Sequence, residues 1–145
     1  MDSLKLSVDT PIEQINRFTK GTLVDTLGIV FTEVGSDFVK ATMPVDQRTF
    51  RPGKMLHGGA SLALAETVAG LGSMLMIDCD SYDIKGIQIS ANHTHGIAEG
   101  MVYATAKIVH AGKRTHLWDV RIEDKDGRLI STERVTNMIV KRNDK

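Results

Sequence analysis

MLHGGASLALAETVAGLGSMLMI, residues Met55 to Ile77, decides how the rest of this chain is read. Within it only His57 and Glu66 carry ionisable side chains. An unpaired charge in an apolar core costs several kcal/mol or is neutralised by a shifted pKa. Glu66, eight residues beyond Gly58, is therefore either satisfied by a nearby donor or retained for chemistry. A membrane span needs about 20 predominantly apolar residues. Four glycines and an internal acid argue against that reading, because a charge inside a lone span is costly. A central helix over roughly residues 58–76, apolar almost all round and packed inside the domain, fits better.

The surrounding chain supports a globular setting. Its 145 residues are enough for one domain, residues 1–145, with a sizeable core. The 18 basic and 18 acidic side chains balance, so no global field draws it to nucleic acid or anionic membrane. No basic region followed by an apolar stretch opens the sequence, so a secretory leader is not expected. The single cysteine, Cys79, excludes an intramolecular disulfide and suits a reducing cytoplasm.

Upstream, Pro11 to Lys20 reads as a short amphipathic helix with Thr10 as its cap and Pro11 in its first turn. Gly28–Val34 and Asp37–Pro44 read as a hairpin about Gly35-Ser36, followed by a polar loop from Asp46 to Lys54. Downstream the period changes to two. Ile84–His95 sets Ile87, Ile89, Ala91 and His93 on one face, and Met101–His110 alternates Val102, Ala104, Ala106 and Ile108 with other residues. Thr115–Asp124 sets His116, Trp118, Val120 and Ile122 together, and Arg128–Lys141 follows the turn Asp126-Gly127. Short connections imply an antiparallel sheet, so the class is α+β, a sheet wrapped around the long helix.

On that helix Glu66 shares a face with Leu62, Ala63, Ala69 and Gly70, and with Gly59 and Ser73 a turn further out. These mostly small residues admit close approach of a backbone or slender ligand. His57-Gly58-Gly59 opens the helix, placing amide donors where a carbonyl oxygen gaining negative charge would be stabilised. Eight helical residues rise about 12 Å, whereas groups acting on one carbon lie ~3 Å from it. If donor and acid act together, two copies of the chain must supply them. That predicts a dimer with two composite sites.

LHGGASLALAE (Leu56–Glu66) resembles the signature of hotdog-fold acyl-CoA thioesterases, closest to the branch of 4-hydroxybenzoyl-CoA and 1,4-dihydroxy-2-naphthoyl-CoA thioesterases. The similarity extends through ATMPVDQRT (Ala41–Thr49), ISANHTHGIAEG (Ile89–Gly100), HAGKRTHLW (His110–Trp118) and DKDGRLISTERVT (Asp124–Thr136). It implies homodimers, often paired into homotetramers, and hydrolysis of an aromatic or medium-chain acyl-CoA without metal or cofactor. By the family pattern Glu66 attacks the thioester or activates water, the Gly58 amide polarises its oxygen, and His57 helps hold the carbonyl. Substrate contacts are implied at Arg51, Gly59, Gly70, Gly86, His93 and Thr94. His95, His110, Gly112, Lys113, Arg114 and Thr115 are implied along CoA.

Two positions depart from that pattern. Arg51 stands where close relatives carry glutamine, and could donate similarly or bind a carboxylate or phosphate. Gly70 stands where a hydroxyl residue commonly assists water. Lys113-Arg114 in isolation reads more simply as a solvated hairpin turn, and it is the family resemblance that turns the pair toward CoA phosphates. His93-x-His95 with His57 lacks a recognisable third-ligand pattern, so no metal is expected. No GxSxG elbow or GxGxxG fingerprint is present. A non-catalytic acyl-CoA binding or sensing protein on the same fold is the alternative.

Overall fold

The computed structural model describes residues 5–143. In chain order they form α1 (Ile12–Phe18), α2 (Leu23–Thr26), β1 (Val30–Val34), β2 (Phe38–Pro44), β3 (Phe50–Arg51), β4 (Met55–Leu56), α3 (Gly58–Met74), β5 (Tyr82–His93), β6 (Met101–Ala111), β7 (Thr115–Glu123) and β8 (Leu129–Lys141). Six strands make one sheet in the order β1-β2-β6-β7-β8-β5, with every neighbouring pair antiparallel. The helix α3 lies across one face, touching β2, β5, β6, β7 and β8. This is the α+β layering that the order of periods predicts.

Alternation explains which side of the sheet is covered. Val39, Ala41 and Met43 of β2, Val102, Ala104 and Ala106 of β6, and Trp118, Val120 and Ile122 of β7 are all buried. From above, α3 contributes Ala60, Leu64, Ala65, Val68, Ala69 and Leu71. Each large apolar side chain so covered contributes roughly 1.5–3 kcal/mol. Trp118 is fully buried, and its Nε1–H donates to Ser73 Oγ at 2.9 Å, so the indole keeps its one polar bond inside the core.

The structure corrects several expectations. Thr10 does not cap α1: its Oγ1 accepts from the Ser7 N–H, and Pro11 is the cap residue, its carbonyl taking the Gln14 and Ile15 N–H groups. The polar loop is not all irregular: its β3 pairs with β4 just beyond its end in a hairpin of two residues per strand, with Arg51 opposite Met55. The strand β5 carries a bulge between Gly86 and Gln88. Ile87 is the extra residue, so it leaves the inner face and is 51% exposed.

The largest correction concerns α3. It is not covered all round: Glu66 and Gly59 are exposed, while Leu62, Ala63, Thr67, Gly70 and Met74 are half-buried. Their three- and four-residue spacing makes a stripe turned away from the sheet. The Glu66 carboxylate therefore reaches solvent in the single chain, and no desolvation argument applies to it there. Among the described residues, no helix is long and apolar enough to cross a membrane.

β5 closes one edge of the sheet. It is 12 residues long, hydrogen-bonded on one side only, to β8, and most of its residues are exposed. Native proteins rarely leave so long an edge uncovered.

Candidate active site

Two cross-strand rows organise the chemistry-bearing residues. In the first, His116, Asn137 and Gly86 lie side by side across β7, β8 and β5. Glu66 reaches from α3 onto this row: a Cβ built on Gly86 would stand 2.5 Å from Glu66 Oε1 and 3.6 Å from Asn137 Oδ1. Only a glycine leaves room for a carboxylate to rest against the strand at that point. Asn137 is buried and anchored from above, its Nδ2 donating to Ala69 O (3.1 Å) and Ser73 Oγ (3.0 Å) on α3.

The second row joins Ile122, Ser131 and His93 across the same strands. The N-terminus of α3 sits over it, with the His93 Nε2 2.9 Å from where a Gly58 Cβ would be. His57 caps the helix: its Nδ1 accepts from the Gly59 N–H at 2.8 Å. That bond fixes the neutral ring as the Nε2–H tautomer, leaving a donor outward. The His57 carbonyl takes the Ala60 and Ser61 N–H groups. Among the described residues the Gly58 N–H has no partner, and Gly58 lines a cavity of about 340 Å³ with Arg51, Ser61, His93, Thr94 and His95.

The sequence-derived candidates thus fall into two groups rather than one. Gly58, His57, Gly59, Arg51, His93, Thr94 and His95 gather at the start of α3, and Glu66 with Gly86 lies two helical turns away. The hydroxyl of Thr94 and Nδ1 of His95 both bind the Leu129 carbonyl, at 2.7 and 2.8 Å, so these groups hold the chain. A Cβ added at Gly70 would make only an ordinary contact, with Ile84 Cδ1 at 3.8 Å. The Thr67 hydroxyl does not fill that role, since it donates to Ala63 O.

The β6–β7 turn carries Gly112, Lys113, Arg114 and Thr115, closed by a bond from the Gly112 N–H to Thr115 O at 2.9 Å. Lys113 and Arg114 are exposed, and neither belongs to any ion pair among the described residues. Thr115 is in register with Met138, one position from the row that holds Gly86, so the turn stands at the Glu66 end of the sheet. His110 folds over the turn, its Nε2 2.8 Å from a Cβ at Gly112.

The thioesterase superfamily matches residues 53–131, more than half of the sequence. The chain belongs to that superfamily. It is 40% identical over 129 residues to the proofreading thioesterase EntH of Cronobacter sakazakii, covering 89% of this chain and 93% of the relative. It is 38% identical over 129 residues to the 1,4-dihydroxy-2-naphthoyl-CoA hydrolase of Escherichia coli, covering 89% and 94%. Among solved structures, a substituted thioesterase from Pseudomonas aeruginosa superposes with a TM-score of 0.90 at 39% identity, over 95% of this chain and 100% of that one. A thioesterase from Haemophilus influenzae gives 0.88 at 33% identity, over 94% and 96%. The α+β layering is thus the hotdog fold, and the chain is a thioesterase.

Beneath the thioesterase's helix lie polar groups that sequence reading had not singled out. Ser131, Glu133 and Asn137 are all buried on the inner face of β8. Ser131 Oγ donates to Glu133 Oε1 at 2.6 Å, while Oε2 has no partner. Burial pushes the Glu133 carboxyl up to about 7, despite the opposing pull of that bond. His116, also buried with an unpartnered Nδ1, is pushed down by burial and by nearby His110. The signal was available: residues 131, 133, 135 and 137 alternate with 132, 134, 136 and 138, and Val135 marks the inner set.

Proposed function

We propose that this thioesterase hydrolyses aromatic or medium-chain acyl-CoA, with Glu66 as nucleophile or general base and the Gly58 amide polarising the carbonyl across a contact between two copies. Water and the thioester give a carboxylic acid and the free thiol of CoA. Charge building on the thioester oxygen is met by the Gly58 N–H at the positive end of α3, with the Nε2–H of His57 beside it. The Glu66 carboxylate supplies the base, or attacks and forms an anhydride that water then opens.

The observation that carries this reading is the placement of the two groups along one free edge. Gly86, under Glu66, and His93, under Gly58, are both on β5. If two β5 edges pair antiparallel about a two-fold axis through Ser90, with the bulged Ile87 left out of the count, Gly86 of one copy comes opposite His93 of the other. The acid of each copy then meets the donor of its mate, twice, as an isologous contact requires. The half-buried stripe Leu62, Ala63, Gly70 and Met74 offers the surface that such pairing covers. Two such dimers would form the tetramer, and CoA substrates with a lone free thiol suit the cytoplasm.

CoA itself would run toward the β6–β7 turn, where Lys113 and Arg114, in no ion pair among the described residues, offer cations and Gly112 and Thr115 shape the backbone. The lack of a hydroxyl at Gly70 to orient water favours a second reading, a binding protein without turnover. Free-thiol release from a panel of acyl-CoAs separates the two. Native protein should release thiol, and Glu66→Gln should be slower by at least about 100-fold. Equal rates for the two proteins would remove Glu66 from the mechanism.

A further inference from the structure

We infer that Arg51 selects acyl groups bearing a carboxylate a few carbons from the thioester, an inference that rests on the hydrolytic reading above. The cavity of about 340 Å³ at the start of α3 is lined by Arg51, Gly58, Ser61 and His93, and by no Asp or Glu. Arg51 is exposed and enters no ion pair among the described residues. Its one described side-chain bond runs from Nη1 to the carbonyl of Pro52, at 2.9 Å. A carbonyl leaves the charge uncompensated, and Nε and Nη2 keep donors free for a planar acid.

The position of this cation is fixed by the backbone. Arg51 pairs with Met55, the Lys54 N–H returns to Arg51 O at 3.0 Å, and the His57 N–H binds Thr49 O at 2.8 Å. The hairpin therefore holds Arg51 beside the amide that would take the thioester oxygen. A space of 340 Å³ is roughly 9 Å across if compact. The arm of CoA from sulfur to its diphosphate spans about 15 Å when extended, by ordinary chain dimensions. An anion within reach of both Gly58 and Arg51 is thus on the acyl side, two to five carbons from the carbonyl. A neutral acyl chain in the same space would displace water from the guanidinium without replacing its bonds, which builds discrimination against it.

The test compares glutaryl-CoA with 5-methylhexanoyl-CoA, in which an isopropyl group replaces the carboxylate at equal size. In native protein the ratio of kcat/KM should favour glutaryl by about tenfold or more, and in Arg51→Gln it should fall to near one. The same preference should persist with the two pantetheine thioesters, which lack the nucleotide phosphates. A native ratio near one, or a ratio unchanged in Arg51→Gln, overturns the inference. So does an Arg51 effect equal for both acyl groups that vanishes with pantetheine, which would assign the cation to a CoA phosphate. Dissociation constants measured on Glu66→Gln keep the two readings apart. Selective binding of glutaryl-CoA without hydrolysis by native protein would sink the hydrolytic reading alone, hydrolysis without charge preference would sink this one alone, and neither binding nor hydrolysis sinks both.

Discussion

The Glu66 carboxylate occupies the space into which a side chain at Gly86 would grow, with Oε1 2.5 Å from the position of its Cβ. The helix and the edge strand that follows it thus meet through an acid and a bare backbone. Gly86→Ala should push the flexible acid aside while leaving the exposed strand intact. Because misplacement of a reacting group by about 1 Å costs on the order of 100-fold, kcat should fall by that factor with an unchanged melting temperature. A variant with native kcat would show that the acid works from another position.

Shared sites predict rescue by mixing. Gly58 stands at the first position of α3, where proline is tolerated, and His57 already has the extended backbone that a following proline demands (φ −72°, ψ 131°). Gly58→Pro removes the donor and Glu66→Gln removes the acid, so each homodimer should be inactive. Refolded together in equal amounts, they should recover about a quarter of native activity, since half the dimers are mixed and each mixed dimer has one intact site. No recovery would place acid and donor within one chain.

Ser73 joins three elements, its Oγ accepting from both the Trp118 Nε1–H and the Asn137 Nδ2–H. Ser73→Ala strands these two buried donors, each costing about 1–3 kcal/mol, and urea unfolding should register the loss. Activity should fall as well, because Asn137 lies under the Glu66 carboxylate. Unaltered stability would mean the core can re-pair both donors.

Glu133 makes stability depend on pH in the direction opposite to a paired surface acid. Its folded pKa of about 7 lies above the ordinary 4.5, so between those values the folded chain holds a proton that the unfolded chain has lost. Stability from this group is therefore fully present below pH 4.5 and declines as pH rises through 7, by about 3 kcal/mol in all. Glu133→Gln should flatten that slope, so its advantage over native protein should be greater at pH 8 than at pH 5 in urea unfolding. Parallel curves for the two proteins would show that Glu133 ionises freely.

Much of this architecture was legible because its signals are repetitive. Trp118, Val120 and Ile122 or Val102, Ala104 and Ala106 declare one covered face at every second position, and the long apolar run declares α3. Less repetitive features escaped. The bulge that expels Ile87 adds a single residue, which no period can show. Ser131, Glu133 and Asn137 have the side chains of an exposed strand, so only their alternation with Val135 marks them as interior; Ser131 bonds Glu133 two residues along, and Asn137 reaches Ala69 on α3. The exposure of Glu66 escaped for another reason: an uncharged stretch implies concealment, but α3 meets only one sheet face and leaves a stripe open. The division of the candidate residues into two groups was nevertheless readable, because helical rise alone separates Gly58 from Glu66.

The strand order also has a consequence for how the chain comes together. Among the described strands β5 pairs only with β8, which follows after two intervening strands, whereas β6 and β7 can zip up locally as soon as they emerge. Throughout translation β5 must wait without a strand partner until residues 129–141 leave the ribosome. Closing so remote a contact is entropically slow and exposes a ready template for mispairing in the meantime. Loss of β8 would therefore unmoor β5 along with it, and nascent chains stalled before residue 129 should be the most prone to clump.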